Sequence, residues 1–123
     1  MPTFSKRSLD NLATCHPDLQ KVAHEAIQTF DFTVICGHRN KADQDKAYKE
    51  GKSKLKYPAS KHNKTPSLAM DCTPYPLDWN DTKSFHAMAD HMKKAAKTVK
   101  VGIVWGGDWK SFFDGPHFEL KEK

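Results

Sequence analysis

Within twenty residues the chain changes its hydrophobic period, and that change limits the folds open to it. From Pro17 to Phe30 the apolar positions Leu19, Val22, Ala23, Ala26 and Ile27 recur at helical spacing. The run Phe32-Thr33-Val34-Ile35-Cys36 is then apolar and β-branched, and Gly37 closes it, as expected of a buried strand. Proline in the first turn of His16-Pro17-Asp18 suits the start of the helix. Asn40 is placed to cap a second helix running to about Glu50, which Gly51 ends. Lys52 to Ser67 is polar, basic and broken by Pro58 and Pro66, so an ordered loop is the most it should form. Leu68 to Thr73 suits a second strand, ended by Pro74 and Pro76. Asp81 can cap a helix that carries Phe85, Met88, Ala89, Met92 and Ala96 on one face. Val101–Trp105 reads as a short strand, Gly106-Gly107 as a turn and His117–Leu120 as a final strand. Helices and strands are interspersed, and the short late loops favour antiparallel pairing. The expected fold class is α+β, a small antiparallel sheet with helices packed on one side.

No internal repeat or low-complexity linker interrupts this pattern. At 123 residues the chain should form one domain, residues 1–123, around one modest core. No stretch approaches the about 18 apolar residues of a membrane helix, so membrane insertion is not expected. The run Met1-Pro2-Thr3-Phe4-Ser5-Lys6-Arg7 has no apolar segment behind its charges and does not read as a secretory signal. The formal charge is +5, and much of the excess lies in Lys49, Lys52, Lys54, Lys56, Lys61 and Lys64. Such a run is either a solvated loop or a surface that attracts an acidic partner, nucleic acid or an anionic polymer such as cell wall. The three cysteines are odd in number and form no C-x-x-C pair, which argues against a disulfide framework and a cysteine-rich zinc site. Cys36 reads as a core residue, and strand alternation should point Cys72 away from Asp71.

The seven histidines separate into groups. His16, His24, His86 and His91 lie on or near expected helices and never pair at the i, i+4 spacing of a helical zinc site. His38, after Gly37, is ambiguous. His62 and His117 lie beside segments that carry carboxylates, Ser60-Lys61-His62 with Leu68-Ala69-Met70-Asp71, and Asp114-Gly115-Pro116-His117-Phe118-Glu119. Two histidines and one aspartate would make a three-ligand zinc site with a fourth position open, the arrangement that catalysis needs. Zinc lowers the pKa of bound water to about 7 and polarises a carbonyl. With seven histidines and fifteen acids, spacing alone leaves many other triples possible.

At these residues the sequence resembles the LAS zinc peptidases, named for lysostaphin, D-Ala-D-Ala metallopeptidases and sonic hedgehog. It is most similar to the D-Ala-D-Ala carboxypeptidase branch that includes phage L-alanyl-D-glutamate endolysins. The Ser-x-His…Ala-x-Asp motif of that branch reads here as Ser60-Lys61-His62 through Ala69-Met70-Asp71. Its later acid-x-x-His motif reads Asp114-Gly115-Pro116-His117, and its arginine after the first strand appears in Gly37-His38-Arg39. These pieces span residues 37 to 120. Two departures stand out. The family's histidine-to-aspartate spacing is commonly shorter than the nine residues between His62 and Asp71, and the extra length falls at Pro66-Ser67. Asp114 stands where the carboxypeptidases usually carry glutamate.

The resemblance implies one zinc ion held by His62, Asp71 and His117, on a hedgehog/D-Ala-D-Ala-peptidase-like fold. Asp114 would be general base and then acid to the leaving amine; otherwise it forms only an Asp-Gly turn. Arg39 would neutralise the oxyanion of the tetrahedral intermediate, or else is a surface arginine. Ser60 and Gln44 would bind substrate or serve structure. Glu119 shares a strand face with His117 and is placed to orient a ligand. Trp105 and Trp109 wall the cleft or pack in the core. The implied function is a peptidoglycan endopeptidase that cuts a stem-peptide amide, L-Ala–D-Glu. The implied partner is the stem peptide, with no nucleic acid and a monomeric enzyme. It would be made in a host cytoplasm and act on the wall after release through the inner membrane. The alternatives are a D,D-carboxypeptidase or dipeptidase of wall remodelling, a non-catalytic wall-binding module on the same fold, and a basic nucleic-acid protein. The module should lack the acid at Asp114, and no aromatics interleave with the lysine run to support nucleic-acid binding.

Overall fold

The computed structural model describes every residue except Met1, Ser111 and Lys123. Four helices, α1 (Lys6–Leu12), α2 (Pro17–Ala26), α3 (Lys41–Lys49) and α4 (Thr82–Val99), alternate with four strands. The strands are β1 (Phe32–Cys36), β2 (Ala69–Pro74), β3 (Ile103–Trp105) and β4 (His117–Leu120). They form one antiparallel sheet in the order β1-β2-β4-β3. The expected α+β architecture is the one observed.

The caps explain where the helices start. The Asn40 side chain accepts from the Asp43 N–H at 2.8 Å, and the Asp81 side chain accepts from Ser84 at 3.2 Å. The structure differs from the sequence expectation in several places. α2 stops at Ala26, four residues before Phe30. The segment from Lys52 to Ser67 contains a one-turn 3-10 helix, Lys61–Asn63, and Gly106–Asp108 forms another in place of a simple turn. The sequence reading also omitted α1. Its signal is slight, a Ser5 cap that accepts from the Ser8 N–H and two apolar positions, Leu9 and Leu12.

α4 ends on Lys100, a non-glycine residue at φ 61°. A side chain in this left-handed region is strained, and glycine is the residue that relieves it. Lys100→Gly should therefore raise the unfolding free energy by about 0.5–1 kcal/mol, read as a higher urea midpoint at unchanged m.

α1, α2 and α4 pack into the core on one side of the sheet, whereas α3 brings Gln44 to Arg39 beside the site. Val34, Met70, Cys72 and Phe118 point toward Leu19, Val22, Met88 and Met92, all fully buried. Alternation along β2 sends Asp71 to the opposite face, away from Cys72, as expected. Cys36 is the correction. Its apolar run implies a core position, but the β1–β2 register slips between Val34 and Cys36. As at a β-bulge, the slip changes which face the strand end presents. Cys36 pairs with Asp71 across the strands and is only partly buried.

Candidate metal centre

The non-helical face of the sheet assembles the site. Asp71 on β2 lies directly across from His117 on β4, so both side chains leave the same face. His62 comes from the 3-10 turn before β2. That turn is fixed by a reciprocal cap: the Ser60 Oγ accepts from the His62 N–H at 3.1 Å, and the Asn63 side chain accepts from the Ser60 N–H at 3.0 Å. Asn63 Nδ2 also donates to the Arg39 carbonyl at 2.9 Å, and the Arg39 N–H donates to the His62 carbonyl at 2.7 Å. The His62 loop and the end of β1 are thereby clamped together.

His62 Nε2 lies 3.2 Å from Asp71 Oδ1, and His117 Nδ1 lies 3.3 Å from the same oxygen. Two ligand atoms at tetrahedral zinc bond lengths stand about 3.3 Å apart, and each imidazole stands at that spacing from the carboxylate. The opposite ring nitrogens are both occupied. His62 Nδ1 donates to the Gly37 carbonyl at 2.8 Å, and His117 Nε2 donates to Glu119 Oε1 at 2.7 Å. Each contact sets the tautomer that leaves an inward lone pair for a metal. Glu119 is held in turn by Lys61 Nζ at 2.8 Å, which also donates to the Leu120 carbonyl at 2.9 Å. Lys61 was read as part of a basic run, yet it is largely buried in this ion pair. The donor set therefore suits a metal, and His62, Asp71 and His117 are the residues that would hold it.

A second grouping overlaps this one: ligand atoms of Cys36, His62 and Asp71 lie within 4.8 Å of one another. The Cys36 sulfur stands 4.0 Å from His62 Nδ1, the nitrogen already committed to Gly37, and 3.8 Å from Arg39 Nη2. It thus lies behind the imidazole face that carries the free lone pair. The two sets share His62 and Asp71 and differ in whether Cys36 or His117 completes them.

The electrostatics follow from this packing. Burial works against a charged His62, but the neighbouring Asp71 carboxylate outweighs it and lifts the imidazole to about 10. Burial would likewise raise Asp71, yet the facing His62 and His117 hold its carboxyl well below the usual range. Asp114 is shifted upward, first by burial and then by the charge of Asp71, which makes it a stronger base than an exposed carboxylate.

The remaining predicted residues divide by position. Arg39 is the third partner of Asp71, with Nη2 donating to Oδ2 at 3.1 Å, and its Nη1 donates to Gln44 Oε1 at 3.0 Å. Gln44, read as a substrate contact, is 0% exposed, and its Nε2 donates to Ser53 Oγ and the Leu55 carbonyl. A buried and fully engaged amide holds Arg39 and the neighbouring loop; it does not face substrate. Ser60 lines the cleft, but its hydroxyl is occupied in capping His62. Trp105 is core, donating from Nε1 to the Gly115 carbonyl at 2.7 Å, whereas Trp109 is exposed with its ring 5.0 Å from that of His117. Asp114 reaches the site through a tight turn: its N–H donates to the Gly106 carbonyl, and its carbonyl accepts from the His117 N–H, both at 3.2 Å.

Gly106 is a site residue that the sequence reading took only as part of a turn. A Cβ there would lie 2.5 Å from the Asp114 carbonyl oxygen and 3.0 Å from the His117 Cβ. Backbone this close leaves no room, so Gly106→Ala should displace the Asp114–His117 turn. The expected cost is about 1–3 kcal/mol in chemical denaturation, with weaker metal binding.

Arg39, Ser60, His62, Asp71, Asp114 and His117 line one cleft of about 860 Å³. No helix among the described residues is long and apolar enough to cross a membrane.

Comparison with known proteins agrees with the geometry. The chain is 35% identical to the L-alanyl-D-glutamate peptidase of Escherichia phage T5, over 95% of this chain and 96% of that protein. It is 29% identical to the peptidoglycan L-alanyl-D-glutamate endopeptidase CwlK of Bacillus subtilis, over 80% of this chain and 65% of that one. Among solved structures, the L-Ala D-Glu endopeptidase ChiX of Serratia marcescens superposes with a TM-score of 0.83 at 32% identity, covering 96% of this chain and 89% of ChiX. The family described as phage L-alanyl-D-glutamate peptidase matches residues 2–121, nearly the whole sequence, and this chain belongs to it.

Proposed function

We propose that this chain is a zinc-dependent peptidoglycan endopeptidase that hydrolyses the L-Ala–D-Glu amide of wall stem peptides, with residues 1–123 acting as one peptidase domain. The observation that carries this reading is the convergence of His62 Nε2 and His117 Nδ1 on Asp71 Oδ1, each ring locked from behind. The names borne by its relatives supply the bond. Zinc bound by these three residues would supply a coordinated water of lowered pKa and a Lewis acid beside the scissile carbonyl.

Asp114 takes a proton from the attacking water and returns it to the leaving amine of D-Glu. Arg39 lines the cleft with its fork fixed by Asp71 and Gln44, and it places positive charge beside the carbonyl oxygen as that oxygen becomes negative. Glu119 and Lys61 orient His117 from behind. Ser60 and Gln44 position His62 and Arg39. The enzyme works as a monomer on the wall and reaches it after release through the inner membrane.

The test is digestion of purified peptidoglycan with and without a chelator, followed by product mass and end-group analysis. New D-Glu amino termini, lost with chelator and restored by zinc, are expected. Release of terminal D-Ala, or activity indifferent to chelator, would overturn the assignment.

A further inference from the structure

The cleft differs in chemistry at its two ends. One end is reached from Asp71 through Arg39 and Gln44 to the loop 52–55. There Lys52 and Lys54 line the cleft, Lys52 beside Glu50 at 3.3 Å and Lys54 over the Phe112 ring at 5.1 Å. The other end is reached through the Asp114 turn. A Cβ on Gly115 would lie 3.1 Å from Phe85, and Phe85 stacks on Trp79 with ring centroids 5.7 Å apart and an interplanar angle of 20°. Trp79 is nevertheless 58% exposed, and the strand exit just before it carries Tyr75 at 65% and Leu77 at 45%. Trp79 lines the cleft, so this open aromatic face is presented to whatever the cleft binds.

We propose that Trp79 forms a platform for the amino-sugar ring next to the scissile bond, so that the cleft reads glycan on the acyl side and carboxylate on the amine side. This inference rests on the stem-peptide reading above. In the wall polymer, the L-Ala of the stem is joined through a lactyl group to an N-acetylated amino sugar, while D-Glu and the residues after it carry carboxylates. The leaving half of the substrate is therefore acidic and the acyl half ends in a sugar. The basic end of the cleft suits the first half. Flat, exposed aromatic faces suit the apolar C–H face of a pyranose ring. An extended residue spans about 3.5 Å, so the first sugar lies within about 10 Å of the scissile carbonyl. On the protein side, one stacked ring pair of 5.7 Å separates the Gly115 turn from the Trp79 face.

The test compares two soluble substrates with the same stem peptide, one carrying the N-acetylated disaccharide and one capped only by the lactyl group. The wild-type enzyme should cleave the first with kcat/KM higher by about tenfold or more. In Trp79→Ala this ratio should fall to within about twofold of unity, while Trp79→Phe should keep most of it. The peptide-free disaccharide at millimolar concentration should shift the Trp79 indole N–H resonance in the zinc-loaded protein. Equal wild-type efficiency on both substrates, or an equal loss on both in Trp79→Ala, would overturn the platform and reduce Trp79 to a support for Phe85. If neither substrate is cut but the indole resonance still titrates with disaccharide, the endopeptidase reading fails and the glycan site stands. Absence of both signals removes the two together.

Discussion

Asp114→Asn is expected to lower kcat by about 10²–10⁴-fold while zinc content and fold are retained. The turn that carries Asp114 is held by backbone groups, the Asp114 N–H on Gly106 and the His117 N–H on the Asp114 carbonyl, so the carboxylate is not needed to shape it. Asparagine before glycine makes such a turn as readily as aspartate does. If Asp114 served only the turn, its asparagine variant would be fully active. What asparagine cannot do is accept a proton and return it. The stability change also has a predicted sign. The Asp114 carboxylate is half-buried, and its charge is opposed by burial and then by Asp71. Removing that charge should leave Tm unchanged or slightly raised. Steady-state rates, zinc analysis and a thermal scan on one preparation separate the two roles.

Asp71→Asn is expected to have the second largest effect, a fall in zinc affinity of more than about a hundredfold, the upper end for loss of an outer-sphere partner alone. The carboxylate has three partners: Oδ1 faces both imidazoles, and Oδ2 pairs with the largely buried Arg39. The neutral amide leaves Arg39 without its counter-charge, and breaking a buried pair in this way costs about 3–5 kcal/mol. Thermal stability should therefore fall together with metal binding. Proton release separates the two effects. In the metal-free protein the Asp71 carboxylate holds a proton on His62 up to about 10, against the opposing effect of burial. Metal binding at neutral pH must expel that proton, so calorimetry in buffers of different ionisation enthalpy should register its release on zinc binding. In Asp71→Asn the proton is no longer held and that release disappears. The same pair sets the pH profile of metal-free stability. The His62 contribution is complete below 6.5, its ordinary value, and is lost as pH rises through about 10. The Asp71 contribution is present above 3.8 and is lost as pH falls toward its lowered folded value. Metal-free stability should therefore be greatest between those two ordinary values and decline toward alkaline pH.

The sheet and its helices were readable because β2 and β4 carry their information in alternation. Asp71 and Cys72 take opposite faces, and Asp71 and His117 meet across the strands because the two segments pair in register. The proposed ligands come together because Asp71 and His117 lie in that register and His62 sits on the 3-10 turn before β2. The insertion between His62 and Asp71 is absorbed before Ala69, as the sequence suggested, with Ser67 Oγ bonded to the Ala69 carbonyl at 2.6 Å. Other features depend on contacts that no local pattern encodes. The register slip after Val34 turns Cys36 toward the site, and nothing in Val34-Ile35-Cys36 marks it. Lys61 looks like its basic neighbours until folding brings Glu119 beside it, 58 positions later in the chain. Gln44 carries the right chemistry for a substrate contact, but tertiary packing closes over it and points its amide at Arg39. Helix α1 is short and sparsely apolar, and it persists by packing on β1, with the Asn11 side chain donating to the Val34 carbonyl at 2.9 Å.

X-ray absorption spectroscopy at the zinc edge tests the central claim most directly, applied to the protein loaded with one equivalent of metal. A site of His62, Asp71 and His117 gives nitrogen and oxygen neighbours only, at about 2.0–2.2 Å, with the outer scattering of two imidazoles. A sulfur scatterer at about 2.3 Å would place Cys36 in the coordination sphere instead of His117. That result, or a failure to bind zinc at all, would contradict the site described here.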